Sequence, residues 1–196
     1  MFAAITIAIL AIAQANAQPT TTRVRGQVTQ IEPSTIVVST REGGPLRVAL
    51  ADNYSVYELA RASSDELAIG RYVGVVGERR IDGRIDALAV ILFPESLRGS
   101  AEGPRPWDLT PRSTMTSATI SAVSTGLAGR QITIAFRGGE AIVALDQRVP
   151  VVELFPAPRH LLSNGANVYI TAAQMPDGTV TGARILVGRE GLIPPL

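Results

Sequence analysis

The chain aligns with itself when it is shifted by 95 residues, and this internal match constrains the fold more than any other feature. Residues 48–92 align with residues 143–187 without a gap, and twelve of the 45 aligned positions are identical. Upstream the match continues with gaps, pairing GQVTQI at 26–31 with ATISAV at 118–123. A fixed period of this kind indicates a duplicated structural unit. We therefore expect two copies of one fold.

Each copy has the alternation that is typical of β-strands. Apolar and polar residues alternate in VRGQVTQI, STIVVST and LRVAL of the first copy, and β-branched residues dominate there. A polar stretch follows, in which Ser63 or Ser64 is placed to cap a single helical turn ending at Gly70. Two further strands, RYVGVVGE and RIDALAVILF, flank Asp82-Gly83, a dipeptide that favours a tight hairpin turn.

The order of three strands, a short helical element and two strands is that of an OB-type barrel. A segment of about 70 residues also needs closed sheet edges to stay soluble. We therefore predict an all-β protein with two tandem OB-like five-stranded barrels, at residues 23–92 and 117–190. A short tail, residues 191–196, follows the second barrel. The alternative is one β-sandwich built from both copies.

Residues 93–116, FPESLRGSAEGPRPWDLTPRSTMT, join the two copies and have no counterpart in either. We call this segment the strap. Connections longer than about 12–15 residues tend to be functional loops or linkers. Its apolar side chains and four prolines argue against a flexible linker. We expect an ordered, Pro/Gly-rich strap that packs Trp107, the single tryptophan, between the barrels.

The strap also carries the residues that we predict as a ligand site. Its acids are candidate oxygen ligands for a hard cation, and its arginines are candidates for an anion clamp. Their spacing matches no defined cation-binding loop. The candidate ligand-binding residues are Glu95, Arg98, Glu102, Arg105, Trp107, Asp108 and Arg112.

Composition excludes several kinds of chemistry. All eighteen basic residues are arginine, so Schiff-base and P-loop lysine chemistry is impossible. The chain has no cysteine, which excludes disulfides and thiolate metal sites. The HExxH, Walker A, GxGxxG and Gly-x-Ser-x-Gly motifs are absent. We predict no catalytic residue, no cofactor and no dedicated metal ligand.

The single histidine, His160, is the natural candidate for acid–base or metal chemistry. The alignment of the copies places it opposite an aspartate in the polar turn, so we predict a solvated turn residue.

The arginines are scattered among seventeen acids and the net charge is only +1, which argues against nucleic-acid binding. Tyr54 and Tyr57 face Val149 and Val152 in the alignment, so we interpret them as packing residues rather than base-stacking platforms.

The first residues predict export. MFAAITIAILAIAQANAQ is an uncharged apolar run that reaches Ala15-Asn16-Ala17, the small-x-small pattern cut by signal peptidase. We predict a signal peptide at residues 1–17, a mature start at Gln18 and a periplasmic location. The run is shorter than the roughly 20 apolar residues of a membrane span, and we expect no transmembrane span in the mature chain.

Several segments resemble a known protein family. FPESLRG, EG, PWDL, STMTSAT and the closing ARILVGREGLIPP are similar to an uncharacterised family of exported Gram-negative bacterial proteins, related to an OB-like domain of unknown function. The resemblance covers nearly the whole mature chain, and PWDL followed by STMT is its most specific part. Members are frequently labelled "metal ABC transporter permease", although a permease needs several membrane spans. Members often have a histidine after EG, where this chain has Pro104.

Three functions from different classes are consistent with these observations. We favour a non-catalytic periplasmic binding or interaction module, whose partner is an unknown envelope protein, envelope polymer or small ligand. The second is a metal-handling periplasmic protein, as the family label implies. The third is a hydrolase that uses the strap carboxylates Glu95, Glu102 and Asp108.

Overall fold

The computed structural model describes residues 18–126 and 129–196, and the predicted signal peptide at 1–17 lies outside them. Within these residues all regular structure is β-strand apart from four short 3-10 turns, so the all-β class is confirmed. The strands are β1 (Thr20–Glu32), β2 (Thr35–Thr40), β3 (Pro45–Ala62), β4 (Tyr72–Arg79), β5 (Ile85–Leu92), β6 (Gly103–Pro106), β7 (Ser113–Gly126), β8 (Gly129–Phe136), β9 (Gly139–Leu145), β10 (Val151–Ala157), β11 (Asn167–Gln174) and β12 (Val180–Gly188). The 3-10 turns are Ser64–Glu66, Glu95–Leu97, Arg159–Leu161 and Arg189–Gly191.

The sequence signals for turns and strand faces are confirmed at particular residues. In β2, Ile36 and Val38 are fully buried while the residues beside them are more exposed. Ser63 caps the turn after β3, because its hydroxyl accepts a hydrogen bond from the Asp65 N–H at 3.1 Å. Gly83, between β4 and β5, has a φ of 85°, which glycine adopts at little cost.

Five strands close into a ring that we call the first barrel. β1 pairs antiparallel with β2 and β11, β2 pairs with β3, and β11 pairs with β12. A parallel pairing of β12 with β3 completes the ring. Its core is aliphatic and includes Val24, Val28, Ile36, Val48, Ile170 and Ile185.

Five other strands form a second ring with the same pattern, which we call the second barrel. β7 pairs antiparallel with β4 and β8, β8 pairs with β9, and β4 pairs with β5. A two-residue parallel contact between β5 and β9 closes it. Its core includes Val73, Val75, Ile120, Ile132, Ile134 and Val143. Because both sets of strands close on themselves, the alternative of a single β-sandwich is wrong.

Each ring takes two of its strands from the other half of the chain, which corrects the prediction that two consecutive segments each form a barrel. Residues 23–92 and 117–190 do not each close a barrel by themselves. The hairpin β4–β5 completes the ring begun by β7, and the hairpin β11–β12 completes the ring begun by β1. Both hairpins have the same alternation and the same turn, so either can satisfy the backbone hydrogen bonds of either ring.

A seam of two strands joins the barrels. β10 runs antiparallel to the second half of β3, and Leu59 lies opposite Leu154, the residue 95 positions later. β10 also pairs in parallel with β5. A third apolar cluster fills the space beside the seam, where Leu59 and Leu154 are 0% and 2% exposed. The two rings therefore share an apolar core at the seam.

Candidate functional site: the strap cluster

The strap begins by docking on the second barrel. Phe93 follows β5, and its ring centroid lies 5.7 Å from that of Tyr72. Gly74 lies beneath Phe93, since a Cβ at this position would sit 2.8 Å from the Phe93 ring. Further along, β6 pairs antiparallel with β7. Pro104 and Pro106 lie in β6, and proline is suited to an edge strand because it donates no ladder hydrogen bond.

Trp107 packs at the seam, as the sequence predicted. It joins the third apolar cluster, which contains residues of both barrels. Its ring stacks on Tyr169 of β11 with a centroid distance of 6.0 Å and an interplanar angle of 19°. The guanidinium carbon of Arg23, in β1, lies 4.0 Å from the Trp107 ring centroid. This is the geometry of a cation–π contact, so the strap is attached to the first barrel through its single tryptophan.

Asp108 ties the strap to a buried arginine of β1. Both guanidinium Nη atoms of Arg25 donate hydrogen bonds to the two carboxylate oxygens of Asp108. The Arg25 Nε–H donates to the main-chain oxygen of Leu196. Burial opposes ionisation of Asp108, but the hydrogen bond and charge of Arg25, helped by Arg23, hold its pKa below the ordinary value. Asp108 therefore remains a carboxylate.

Arg105 differs from the other charged residues of the strap. It donates hydrogen bonds to the Ala101 carbonyl at 2.8 Å and to the Ser117 hydroxyl at 3.1 Å, and it contacts the Met115 sulfur. Burial lowers the pKa of Arg105, and the nearby charges of Arg23 and Arg184 lower it further. Among the residues that the structure describes, no carboxylate forms a salt bridge with Arg105.

Two buried donors lie beside these arginines without a hydrogen-bond partner in the described part of the chain. They are the indole Nε1–H of Trp107 and the hydroxyl of Tyr169. Burial raises the pKa of Tyr169 to about 12, so the hydroxyl keeps its proton. A buried polar group without a partner costs about 1–3 kcal/mol. We call Arg23, Arg25, Arg105, Trp107, Asp108 and Tyr169 the strap cluster.

The remaining predicted site residues lie outside this cluster and have separate partners. Glu95 and Arg98 pair with each other, and Arg98 also donates to the Gly70 carbonyl at 2.9 Å. The Glu102 carboxylate accepts a hydrogen bond from the main-chain N–H of Arg137 at 3.1 Å. Arg112 pairs with Glu78 of β4 at 2.8 Å. The structure thus brings together three predicted residues, Arg105, Trp107 and Asp108, and leaves Glu95, Arg98, Glu102 and Arg112 elsewhere.

The strap acids are not arranged as one carboxylate centre. Glu95, Glu102 and Asp108 are each engaged by a different group. Across residues 18–126 and 129–196, no group of three or more His, Asp or Glu side chains is placed to hold a metal ion. His160 lies exposed in the turn Arg159–Leu161, as predicted.

Sequence reasoning missed the partners that the first barrel supplies. Arg23 and Arg25 flank the buried Val24 in β1, so their side chains project from the face of the sheet opposite to that of Val24. This alternation was a signal that the sequence offered, because two arginines spaced two residues apart on a strand must lie on the same face. Tyr169 gave no comparable signal, because tyrosine is intermediate in burial and the residue type alone does not separate a packing role from a binding role.

Comparisons of the chain with protein-family models, with curated proteins and with solved structures gave no match. Within the described ranges, no helix is both long enough and apolar enough to cross a membrane.

Proposed function

We propose that the protein is a non-catalytic periplasmic binding module that recognises an anionic group at the strap cluster. The observation that carries this proposal is the local excess of arginine around Arg105. The proposed periplasmic location depends on the leader pattern at residues 1–17.

The pairing registers support a duplicated OB-like scaffold for this module. Both rings have the strand order 1-2-3-5-4 of an OB barrel. Val56 of β3 lies opposite Ile185 of β12 in the first barrel. Val151 of the seam strand β10 lies opposite Val90 of β5 in the second barrel. Corresponding members of the two pairs are 95 residues apart, the same shift that aligns the sequence with itself. We propose that two copies of one unit exchanged their hairpins and that the strap was added at their junction.

The charges of the cluster favour an anionic ligand. Arg23 and Arg25 share one carboxylate, that of Asp108, which Arg25 engages with both Nη groups. Arg105 bonds only to uncharged groups of the described chain. Arg184 lies on an exposed part of β12 close enough to affect the pKa of Arg105. Guanidinium groups present several N–H donors in a fixed plane that matches the oxygens of phosphate and carboxylate. The arrangement therefore suits an oxyanion better than a metal ion.

The unpartnered donors give a second reason for a ligand at this place. The Trp107 indole N–H and the Tyr169 hydroxyl are next to the arginines that carry the excess charge. A ligand oxygen is a suitable acceptor for such groups. The proposed ligand class is a phosphate- or carboxylate-bearing component of the cell envelope, held through hydrogen bonds without a chemical step.

A thermal-melt titration tests the proposal. Residues 18–196 are melted with increasing inorganic phosphate or citrate, at an ionic strength held constant with sodium chloride. Specific binding to the native state raises the Tm with ligand concentration beyond the effect of salt alone. We expect this shift for the wild type and its loss in Arg105→Gln.

A matched control is available in the same strap. Arg112→Gln removes an arginine that is already paired with Glu78 and whose side chain is 85% exposed. This variant should respond to phosphate and citrate like the wild type. Equal responses of Arg105→Gln and the wild type would contradict the proposed site, and so would the absence of any anion-specific shift in the wild type.

A further inference from the structure

A cavity lies at one end of the second barrel, away from the strap cluster. Its volume is about 430 Å³, within the range of roughly 300–1,000 Å³ that is usual for small-molecule sites. The cavity lies between the end of β3 with its following turn, the last residues of β7, the first residues of β8 and the segment that joins β9 to β10. The exchanged connection from β3 therefore forms one wall of a cavity in the barrel begun by β7.

The corresponding end of the first barrel is filled by two large side chains. Tyr54 packs against the core of that barrel, and the guanidinium carbon of Arg159 lies 4.1 Å from the Tyr54 ring centroid. Arg159 also donates hydrogen bonds to the carbonyls of Asp52 and Tyr54, both at 3.0 Å. This end of the first barrel is thus closed by an aromatic ring with an arginine over it.

The 95-residue shift explains why the second barrel is open at this end. Val149 stands at the position of Tyr54, and Ser64 stands at the position of Arg159. Both Val149 and Ser64 line the cavity. Replacement of a tyrosine and an arginine by a valine and a serine removes most of the volume that closes the first barrel.

The charged groups at the cavity are already neutralised in pairs. Arg130 of β8 donates to the Asp65 carboxylate at 2.7 Å, and Asp146 accepts hydrogen bonds from the Arg148 side chain and main-chain N–H, each at 2.9 Å. The Nε of Arg130 is buried and has no hydrogen-bond partner in the described chain. These pairs leave little net charge to attract a small anion or cation.

The uncharged lining combines polar and apolar groups. Ser64, Thr125 and Gln147 supply hydroxyl and amide groups. The apolar part of the lining comes from the barrel core and from the residues packed against it, namely Ala62, Leu145, Val149 and Val151. An apolar surface surrounded by hydroxyl, amide and paired ionic groups complements a molecule with many hydroxyls and a C–H face.

We propose that this cavity is a binding site for a small neutral saccharide. The site is separate from the strap cluster, and its test does not depend on anion binding. The ligand places the C–H face of a sugar ring on Val149 and Val151, and its hydroxyls exchange hydrogen bonds with Gln147, Ser64 and Thr125.

Titration with defined sugars tests the proposal. Glucose, maltose and N-acetylglucosamine are added to ¹⁵N-labelled protein, and NMR spectra follow the Arg130 Nε–H and the main-chain amides of residues 62–65 and 145–151. We expect saturable shifts confined to these signals for at least one sugar.

Filling the cavity with the first barrel's residues, in Ser64→Arg/Val149→Tyr, should weaken binding by at least about tenfold. Ser64→Arg alone, at an exposed position, provides a second variant should the double variant fold poorly.

The first barrel provides the matched control. Tyr54→Val/Arg159→Ser removes the side chains that close that barrel and leaves the cavity of the second barrel untouched, so sugar binding at Arg130 should persist. The proposal is overturned by the absence of saturable shifts with all three sugars. It is also overturned by unchanged affinity in the folded Ser64→Arg/Val149→Tyr variant, or by shifts that map to the strap cluster.

Discussion

The two barrels have the same strand order but differ in what was placed at their ends and edges. The first barrel is closed by Tyr54 and Arg159 and presents Arg23 and Arg25 to the strap. The second barrel has a cavity at the corresponding end and carries β6 on its edge. The difference teaches that two rings with the same strand order have similar aliphatic cores but different side chains at their ends and edges. The candidate sites lie at these divergent positions.

The seam is the part that both barrels share, and breaking it should have the largest effect. Leu59→Ala opens a cavity in the third apolar cluster, and we expect a loss of about 2–5 kcal/mol in the free energy of unfolding. Leu154→Ala should cost a similar amount, because Leu154 lies opposite Leu59 at an equivalent position. Urea unfolding measures both. A loss below about 1 kcal/mol for either variant would contradict a shared core.

Trp107 belongs to neither barrel, and its removal tests how the strap holds the two barrels. Trp107→Ala should lower the free energy of unfolding by about 2–3 kcal/mol, less than for a fully buried tryptophan, because the ring is half-buried. It should also loosen the angle between the barrels, which small-angle X-ray scattering detects. Trp107→Phe keeps a ring to stack on Tyr169 and should lose less. Unchanged stability and shape, with loss of phosphate binding, would mean that Trp107 acts in recognition only.

Sequence patterns were sufficient for the five strands predicted in each copy, for the Ser63 cap and for the Asp82-Gly83 turn, but they missed β6 in the strap and β10 in the seam. Local signals such as Ser63 before its turn and Asp82-Gly83 between two strands act over a few residues, so they can be interpreted without tertiary structure. The pairing of each hairpin with a strand from the other half of the chain could not be predicted in this way. The backbone bonds that β4–β5 makes with β7 are equivalent to those it could make with β1, and alternation is the same in both.

The candidate site was predicted in part for a related reason. Arg105, Trp107 and Asp108 stand out in the strap, but Arg25 and Tyr169, which complete their surroundings, are more than 60 residues away in sequence. Only the pairing of β1 with β11 brings those two together. The predicted clamp of Arg98, Arg105 and Arg112 does not form, because Glu95 and Glu78 pair with two of its members.

Mutations can give each barrel the end residue of the other. Such a change removes packing from the end of the first barrel and adds packing to the end of the second. Tyr54→Val should cost about 1–3 kcal/mol, because it removes a half-buried ring and leaves Arg159 without a surface to cover. Val149→Tyr places the ring in an existing cavity and should change stability by less than about 1 kcal/mol. Thermal or urea unfolding compares the two. Equal losses would mean that the second barrel has no room for the ring of the first.

Acid should weaken the attachment of the strap to the first barrel before it affects either core. The pKa of Asp108 in the folded protein lies below the ordinary 3.8. Its ion pair with Arg25 therefore contributes fully above pH 3.8, and the contribution is lost as the pH falls through the lower folded value. Asp108→Asn should be less stable than the wild type at pH 6, and the gap should shrink below pH 3.8. Because this carboxylate is 45% exposed, solvent screens the ion pair and the gap should be small. A gap that stays constant from pH 6 to pH 2 would show that the ionised carboxylate does not hold the strap in place.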